Sequence, residues 1–193
     1  MNFLGHLLVS ANDTPLVITG NFMADAVKGR DLSAWEPDLQ RGIRMHRRID
    51  SFTDNHPLTL VGRERLRAHC GKYAGVALDL FYDHAIANLW GELGMEPLPA
   101  FTGRMYALLQ AHSRLMPMRT QQMLPYMVAN DWLTSYAEIR GIARALGGLS
   151  KRVPGGEALA GAEHVLQAHE EAFTAECREF LRDLFNHLAL PDA

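Results

Sequence analysis

The chain has 193 residues, of which 48% are hydrophobic and 21% are charged, and its formal net charge is −3. This composition indicates one globular domain with a sizeable core, and it argues against a disordered chain and against general nucleic-acid binding, which needs many positive charges. Because no apolar run approaches the roughly 20 residues of a membrane span and no signal-peptide pattern opens the chain, we expect a cytoplasmic protein that does not enter membranes.

Apolar residues recur at helical spacing along almost the whole chain, which predicts an all-α fold of about eight helices in a single domain over residues 1–193. Prolines and glycines set the predicted boundaries, because proline favours the first turn of a helix and disfavours helical angles in the residue before it. In chain order, the predicted helices are a first before Asn12, a second ending near Lys28-Gly29, a third from Pro37 to about Asp54, a fourth opening at Pro57, an apolar segment from Tyr73 to Leu93, and then Ala100 to Leu115, Pro117 to Asn130, Trp132 to Leu146 and Glu157 to Leu188.

Two groups of acids and histidines recur at the spacing of one helix face. They are His46, Asp50 and Asp54 in the third predicted helix, and Asp79, Asp83 and His84 in the apolar segment. Side chains four residues apart project from the same side of a helix, so two helices can supply facing metal ligands. The apolar neighbours of the second group indicate that some of its carboxylates point inward, where a charge is costly unless it is paired or bound to a metal.

His6 and Asp25 join the candidates because each is a lone polar residue in an apolar setting. Structural alternatives remain open, since a single histidine on an apolar face is more often a hydrogen-bonded core residue than a ligand. Asp54 and His56 are also placed to cap helix ends, and Asp54 to offset an arginine.

The mixture of imidazoles and carboxylates suits manganese, magnesium, iron or zinc. Water bound to such an ion loses its proton near neutral pH, and the ion offsets charge on a phosphoryl oxygen, so the pattern favours a metal-dependent phosphohydrolase. A di-iron carboxylate protein is excluded, because no glutamate is followed by a histidine three residues later.

A basic stretch covers the third and fourth predicted helices. It contains seven arginines against three acids, namely Arg41, Arg44, Arg47, Arg48, Arg63, Arg65 and Arg67. The stretch is suited to an anionic partner, although a solvated helix face would have the same composition.

Five motifs together resemble the acyl carrier protein phosphodiesterases over nearly the whole chain. The motifs are Asn2-Phe3-Leu4-Gly5-His6, the run from Gly20 to Gly29, the run from His46 to Pro57, Asp79-Leu80-Phe81-Tyr82-Asp83-His84, and Asp131-Trp132-Leu133-Thr134-Ser135-Tyr136. The most specific of them is the run from His46 to Pro57.

The resemblance implies an HD-phosphohydrolase-like helical bundle that hydrolyses the phosphodiester between 4'-phosphopantetheine and a serine of holo-acyl carrier protein, usually with Mn²⁺ and alternatively with Mg²⁺ or Fe²⁺. The implied metal ligands are His46, Asp50, Asp79, Asp83 and His84, and the implied catalytic residues are His6, Asp25, Asp50 and His84. Because the family's carrier protein is acidic, the resemblance also gives Arg41, Arg44, Arg47, Arg48, Arg63 and Arg67 a role in binding it.

Two other functions stay open from the sequence. One is an HD-like phosphohydrolase that uses the same metal ligands on a nucleotide or another small phosphate ester, which its substrate range would reveal. The other is a non-catalytic helical adaptor that binds an acidic partner through its arginines, which the absence of bound metal would reveal.

Overall fold

The computed structural model describes residues 1–94 and 96–189, and within them it contains α-helices and short 3-10 turns but no strand. The α-helices are α1 (Phe3–Val9), α2 (Pro15–Met23), α3 (Pro37–Asn55), α4 (Pro57–Cys70), α5 (Ala74–Asn88), α6 (Leu98–Ala111), α7 (Met118–Ala129), α8 (Trp132–Ser135), α9 (Ile139–Ser150), α10 (Glu163–Ala168) and α11 (Glu170–Ala189). The 3-10 turns are Ala24–Ala26, Gly71–Tyr73, Trp90–Leu93, Ser113–Leu115 and Gly156–Leu159. The predicted all-α fold in a single domain is confirmed.

Helix α5 forms the centre of the core because its sequence is apolar on nearly every side. It packs against α1, α4, α9 and α11, and Phe81, Tyr82 and Ile86 are completely buried. Polar side chains on this helix must therefore find their partners within the protein. None of the described helices combines the length and the hydropathy that crossing a membrane requires.

Helices α2 and α3 cross with their backbones in contact. A Cβ atom at Gly42 would clash with the carbonyl oxygen of Val17, and one at Gly20 would clash with that of Leu39. Glycine at both positions permits this approach. The crossing places the face of α3 that carries His46 directly against the end of α2 and the 3-10 turn that follows it.

The predicted break between the third and fourth helices is confirmed. Helix α3 ends at Asn55, His56 has extended backbone angles, and Pro57 is the first residue of α4. The residue before a proline avoids helical angles, so the chain turns at this position and α4 folds back beside α3.

Three of the predicted helix ranges are wrong. The second helix ends at Met23 rather than near Lys28, because the 3-10 turn Ala24–Ala26 redirects the chain. The range Trp132 to Leu146 is two helices, and Gly141 lies so close to the carbonyl of Ser135 that any side chain there would clash. That close approach makes the turn between α8 and α9 possible.

The predicted C-terminal helix from Glu157 to Leu188 is also divided, into a 3-10 turn, α10 and α11. Gly161 has a φ of 83°, in the left-handed region that glycine adopts without strain, and it separates the turn from α10. Conversely, Gly147 and Gly148 do not end α9, which continues to Ser150.

Candidate active site

A cavity of about 310 Å³ lies beside the crossing of α2 and α3. Helices α1, α2, α3, α5 and α9 all contribute to its wall. His6, His46 and Asp50 lie on one side, and apolar side chains including Phe3, Phe22 and Leu149 complete the wall. The cavity therefore combines a polar cluster with an apolar lining.

The polar cluster is built from two helices that face each other. His46 and Asp50 share one face of α3, as their spacing predicts, and Nε2 of His46 is 3.0 Å from Oδ2 of Asp50. His6 comes from α1, where its Nε2 lies 3.2 Å from Oδ1 of Asp50. The two imidazole rings stack with their centroids 4.0 Å apart. The carboxylate of Asp50 thus contacts two histidines, both of which are buried.

Asp25 completes the cluster from the 3-10 turn after α2. Its Oδ1 is 3.3 Å from Nε2 of His46, and 75% of its side chain is exposed. The structure therefore brings together four of the predicted residues, namely His6, Asp25, His46 and Asp50.

The charges of this cluster are set by burial and by mutual contact. Burial lowers the pKa of His6 to about 4, so its ring is neutral at pH 7. Burial also tends to lower the pKa of His46, but the hydrogen bonds that His46 donates to Asp25 and Asp50 outweigh it and raise this pKa to about 9. The contact with His46 in turn lowers the pKa of Asp25, and against burial it lowers that of Asp50. Without a metal, the proton on His46 is the cation that holds the two carboxylates together.

The second predicted group, on α5, has different partners. Asp79 lines the cavity, but its Oδ1 accepts a hydrogen bond of 2.9 Å from the α-amino group of Met1. Asp83 is completely buried and accepts hydrogen bonds from the backbone N–H groups of Asn2, Leu4 and Gly5, at 3.2, 2.7 and 3.0 Å. Burial raises the pKa of Asp83 to about 7, although these donors favour its ionised form. Asp83 therefore stabilises the first turn of α1, the helix that carries His6.

His84 faces another part of the fold. Its Nδ1 donates a 2.7 Å hydrogen bond to the carbonyl of Tyr136, and its Nε2 lies 3.5 Å from Oε1 of Glu170. Among the described residues, neither His84 nor Asp83 lines the cavity. The structure thus does not bring these two predicted ligands to the cluster around His46.

The arginines of the basic stretch differ in their contacts. Acidic partners are Asp13 and Asp38 for Arg41, Asp54 for Arg63, Glu176 for Arg65 and Glu64 for Arg67. Neutral acceptors are Gln40 for Arg44 and the carbonyls of Val27 and Gly29 for Arg47, and Arg48 donates to the carbonyl of His187. The contact of Asp54 with Arg63 bears out the alternative that Asp54 offsets an arginine.

Sequence reasoning gave no role to Asn21, although it is buried directly behind His6 and contacts its ring. The signal was available, since Asn21 is an amide in an otherwise apolar turn four residues before Asp25. Such a residue needs buried hydrogen-bond partners, and in α2 it finds them in His6.

The cluster fits a divalent metal. Ligand atoms of His6, His46 and Asp50 all lie within 4.8 Å of one another. Nε2 of His6 is buried and makes no properly oriented hydrogen bond, even though Asp50 is near. Two imidazoles and a carboxylate are a common ligand set for divalent transition metals, and a lone pair without a partner is suited to such an ion. These three side chains form a candidate metal site.

Comparisons with known proteins identify the family. The family model described as "Acyl carrier protein phosphodiesterase" matches residues 1–184. Relatives with that same name include one from Photorhabdus laumondii, 34% identical over 91% of this chain and 88% of the relative. Others come from Yersinia enterocolitica, 36% identical over 88% of each chain, and from Salmonella agona, 35% identical over 89% of each. No solved structure matches the chain. The chain therefore belongs to the acyl carrier protein phosphodiesterase family, whose members are hydrolases that act on a phosphodiester.

Proposed function

We propose that the protein is a metal-dependent hydrolase of holo-acyl carrier protein. It cleaves the phosphodiester between 4'-phosphopantetheine and the carrier's serine, and it releases apo-carrier and free phosphopantetheine. The reaction belongs to the lipid metabolism of the cytoplasm, and Mn²⁺ is the proposed ion, with Mg²⁺ or Fe²⁺ as alternatives. Family membership supports the substrate, and the cluster of His6, His46 and Asp50 supports the metal.

The charge of the cavity is the observation that carries the proposal. Four carboxylates line it, those of Asp25, Asp50, Asp54 and Asp79. Among the described lining residues there is no lysine or arginine, and the cations are the α-amino group of Met1 and the protonated His46. A phosphodiester carries a negative charge and would be repelled by this lining. A divalent ion in the cluster reverses the local charge and makes the cavity suitable for the substrate.

In this proposal the residues of the cluster have two roles, holding the ion and taking up a proton. His6, His46 and Asp50 hold the ion, which when bound supplies an acidified water and offsets charge on the phosphoryl oxygens. Asp25 is largely exposed at the cavity and contacts His46, so we assign it as the group that takes up a proton from the attacking water. His6 binds the ion as a neutral imidazole, because burial lowers the pKa of its ring.

The contacts of Asp83 and His84 favour positioning roles over the ligand roles that the sequence predicted. Asp83 holds the first turn of α1, and His84 connects α5 to the carbonyl of Tyr136. Asp79 lines the cavity while it binds the α-amino group of Met1, so it has one oxygen engaged and remains near the substrate.

The apolar lining suits the rest of the prosthetic group. Phe3, Phe22, Val76, Leu80 and Leu149 all line the cavity, and Val76 is 37% exposed. The pantetheine arm carries a dimethyl group and methylene groups between its amides, and such apolar surface is stabilised against side chains of this kind. The lining therefore fits an elongated, partly apolar phosphate ester.

Acidic carrier protein is proposed to dock beside Asp25. Arg47 donates to the carbonyls of Val27 and Gly29, which places its positive charge against the exposed segment that contains Lys28 and Arg30. Arg44 lies exposed one turn earlier on α3 with a neutral partner. These four residues form the proposed docking surface, whereas Arg41, Arg63 and Arg67 already have acidic partners.

Intact-mass measurement on holo-carrier protein tests the proposed function. Incubation with the protein and Mn²⁺ is expected to remove the mass of phosphopantetheine, and excess chelator is expected to stop the loss. A protein that leaves the carrier intact but hydrolyses nucleotides would instead be the small-molecule phosphohydrolase, and unchanged turnover in chelator would contradict the metal.

A further inference from the structure

Asn21 lies directly behind His6, in the last turn of α2, and is completely buried. Its Nδ2 donates a 2.8 Å hydrogen bond to the backbone carbonyl of His6, and its Oδ1 lies 3.1 Å from Nδ1 of the same residue. A carbonyl oxygen can only accept a hydrogen bond, so the NH₂ group of Asn21 must face it. This contact fixes the orientation of the side chain and places the amide oxygen against the ring.

The orientation of Asn21 decides which nitrogen of His6 carries the proton. An amide oxygen cannot donate, so the 3.1 Å hydrogen bond requires a proton on Nδ1. A neutral imidazole has a single N–H, and Nε2 is then left with its lone pair. The surroundings agree, because Nε2 makes no properly oriented hydrogen bond although Oδ1 of Asp50 is 3.2 Å away.

We propose that Asn21 is a positioning residue that holds His6 in the Nδ1–H tautomer and so keeps the Nε2 lone pair available for a divalent cation. The inference rests on the proposed metal-dependent function, but the tautomer is a property of the metal-free chain and is measured separately. Asn21 acts through His6, whose ring and backbone carbonyl it contacts.

Asp50 is the group that competes for the proton. Without an acceptor at Nδ1, the proton of His6 moves to Nε2, where Oδ1 of Asp50, 3.2 Å away, can accept it in a hydrogen bond. That bond would occupy a nitrogen and an oxygen of the same metal site. Partners that fix the tautomer of a ligand histidine typically contribute about 10-fold to 100-fold to metal affinity, and we expect a loss in this range.

The tautomer of His6 is read from a long-range ¹H–¹⁵N correlation spectrum of the metal-free, full-length protein, with its signal assigned by comparison with His6→Gln. We expect the Nδ1–H pattern in the natural chain at pH 7. A spectrum with the proton on Nε2 would overturn the proposal without any variant of Asn21.

Two substitutions of Asn21 distinguish the effect of its amide oxygen from the effect of its side-chain size. Asn21→Leu keeps a similar shape but removes the acceptor, so the proton is expected on Nε2 and the affinity for Mn²⁺ is expected to fall about 10-fold to 100-fold in a direct titration. Asn21→Asp retains an oxygen against Nδ1 but loses the N–H that Asn21 donates to the carbonyl of His6. A proton should stay on Nδ1 in this variant, and its affinity for Mn²⁺ should exceed that of Asn21→Leu. Should neither variant fold, the spectrum of the natural chain still decides, since a proton on Nε2 there contradicts the proposal.

Ser10 provides a matched control. Its Oγ donates a 3.0 Å hydrogen bond to the same carbonyl of His6, and it is also completely buried, but it does not contact the ring. Ser10→Ala should leave both the tautomer and the Mn²⁺ affinity unchanged. Equal losses in Ser10→Ala and Asn21→Leu would mean that Asn21 merely anchors the backbone.

The outcomes also distinguish this inference from the proposed function. A natural chain that shows the Nδ1–H form and binds Mn²⁺ but leaves holo-carrier protein intact contradicts the proposed reaction and supports the role of Asn21. A chain that cleaves the carrier with His6 in the Nε2–H form contradicts the role of Asn21 and leaves the reaction in place.

Discussion

Helices α3 and α5 each carry acids and histidine at the spacing of one helix face, yet the two groups meet different partners. On α3, Asp50 directly contacts the imidazole of His46 on the same helix face and that of His6 from α1. On α5, Asp83 faces three backbone N–H groups at the start of α1. The spacing of a motif decides which side chains share a face, and the group that lies opposite decides whether they bind a metal or hold a helix.

Both groups act on the same short helix. Asp83 binds the first turn of α1, and His6 projects from that helix toward α3. Asp83 on α5 therefore fixes the position and direction of α1. One side chain of α1, that of His6, belongs to the candidate metal site.

Replacing Asp50 by asparagine should remove the bound metal and with it the turnover of holo-carrier protein. The substitution removes the carboxylate that both histidines contact but preserves shape. Activation by a metal is worth several kcal/mol, and 1.36 kcal/mol is about tenfold in rate, so turnover of holo-carrier protein should fall at least about 1,000-fold. Intact-mass kinetics and metal content measure the loss, and helical circular dichroism should be unchanged. Asp54→Asn, one turn further along α3, is the control, and an Asp50→Asn chain that keeps its metal would remove Asp50 from the ligand set.

Replacing Asp83 by alanine should act on stability. It leaves the N–H groups of Leu4 and Gly5 buried without an acceptor, and each such loss costs about 1–3 kcal/mol, so we expect the free energy of unfolding to fall by about 3 kcal/mol. Urea unfolding of the metal-free chain measures the change. Asp83→Asn, which retains one acceptor oxygen, should lose less. Full stability together with complete loss of metal would place Asp83 in the metal site after all.

Metal affinity should rise with pH. The pKa of His46 is raised to about 9, so below that pH the ion must displace a proton from the ring, whereas the lowered pKa of Asp50 keeps its carboxylate ionised throughout. Releasing one proton per ion makes the affinity increase about tenfold per pH unit between pH 7 and pH 9, with a plateau above. Competition with a chromophoric chelator measures this, and an affinity independent of pH in that range would show that His46 is not a ligand.

Reversing the charge of Arg44 should have the smallest effect. Exposed charges mainly raise the rate of encounter and are screened by salt, so Arg44→Glu should raise KM for holo-carrier protein several-fold, leave kcat nearly unchanged, and reduce the dependence of KM on salt. Arg67→Glu is the matched control, because the charge of Arg67 is already offset by Glu64. If both variants behave alike, or if neither responds to salt, the docking surface is misplaced.

The sequence was informative where one local rule decides the structure. Pro57 ends one helix and begins the next, and the spacing of His46 and Asp50 placed both on one face. It was less informative where the decisive group comes from elsewhere in the chain. Nothing in the pattern Asp79, Asp83, His84 indicates that backbone donors from the first turn of α1 lie opposite Asp83.

The helix breaks show the same limit. Gly161 lies at a turn and Gly141 lets the start of α9 approach the carbonyl of Ser135, whereas Gly147 and Gly148 lie within α9 without ending it. A glycine permits a turn but does not require one, and contacts with the rest of the protein determine which glycines are used. The prediction of a single C-terminal helix was wrong for this reason.

The backbone contact at Gly20 and Gly42 fixes the part of the cavity wall that α2 and α3 form. Because α2 and α3 touch there without intervening side chains, neither helix can shift relative to the other when nearby residues change. Val76 of α5 and Leu149 of α9 form a part of the cavity wall outside this crossing, so substitutions there can change the size of the cavity without moving α2 against α3. Substitutions in that part of the wall can therefore change which substrates fit the cavity while the cluster beside His46 stays the same.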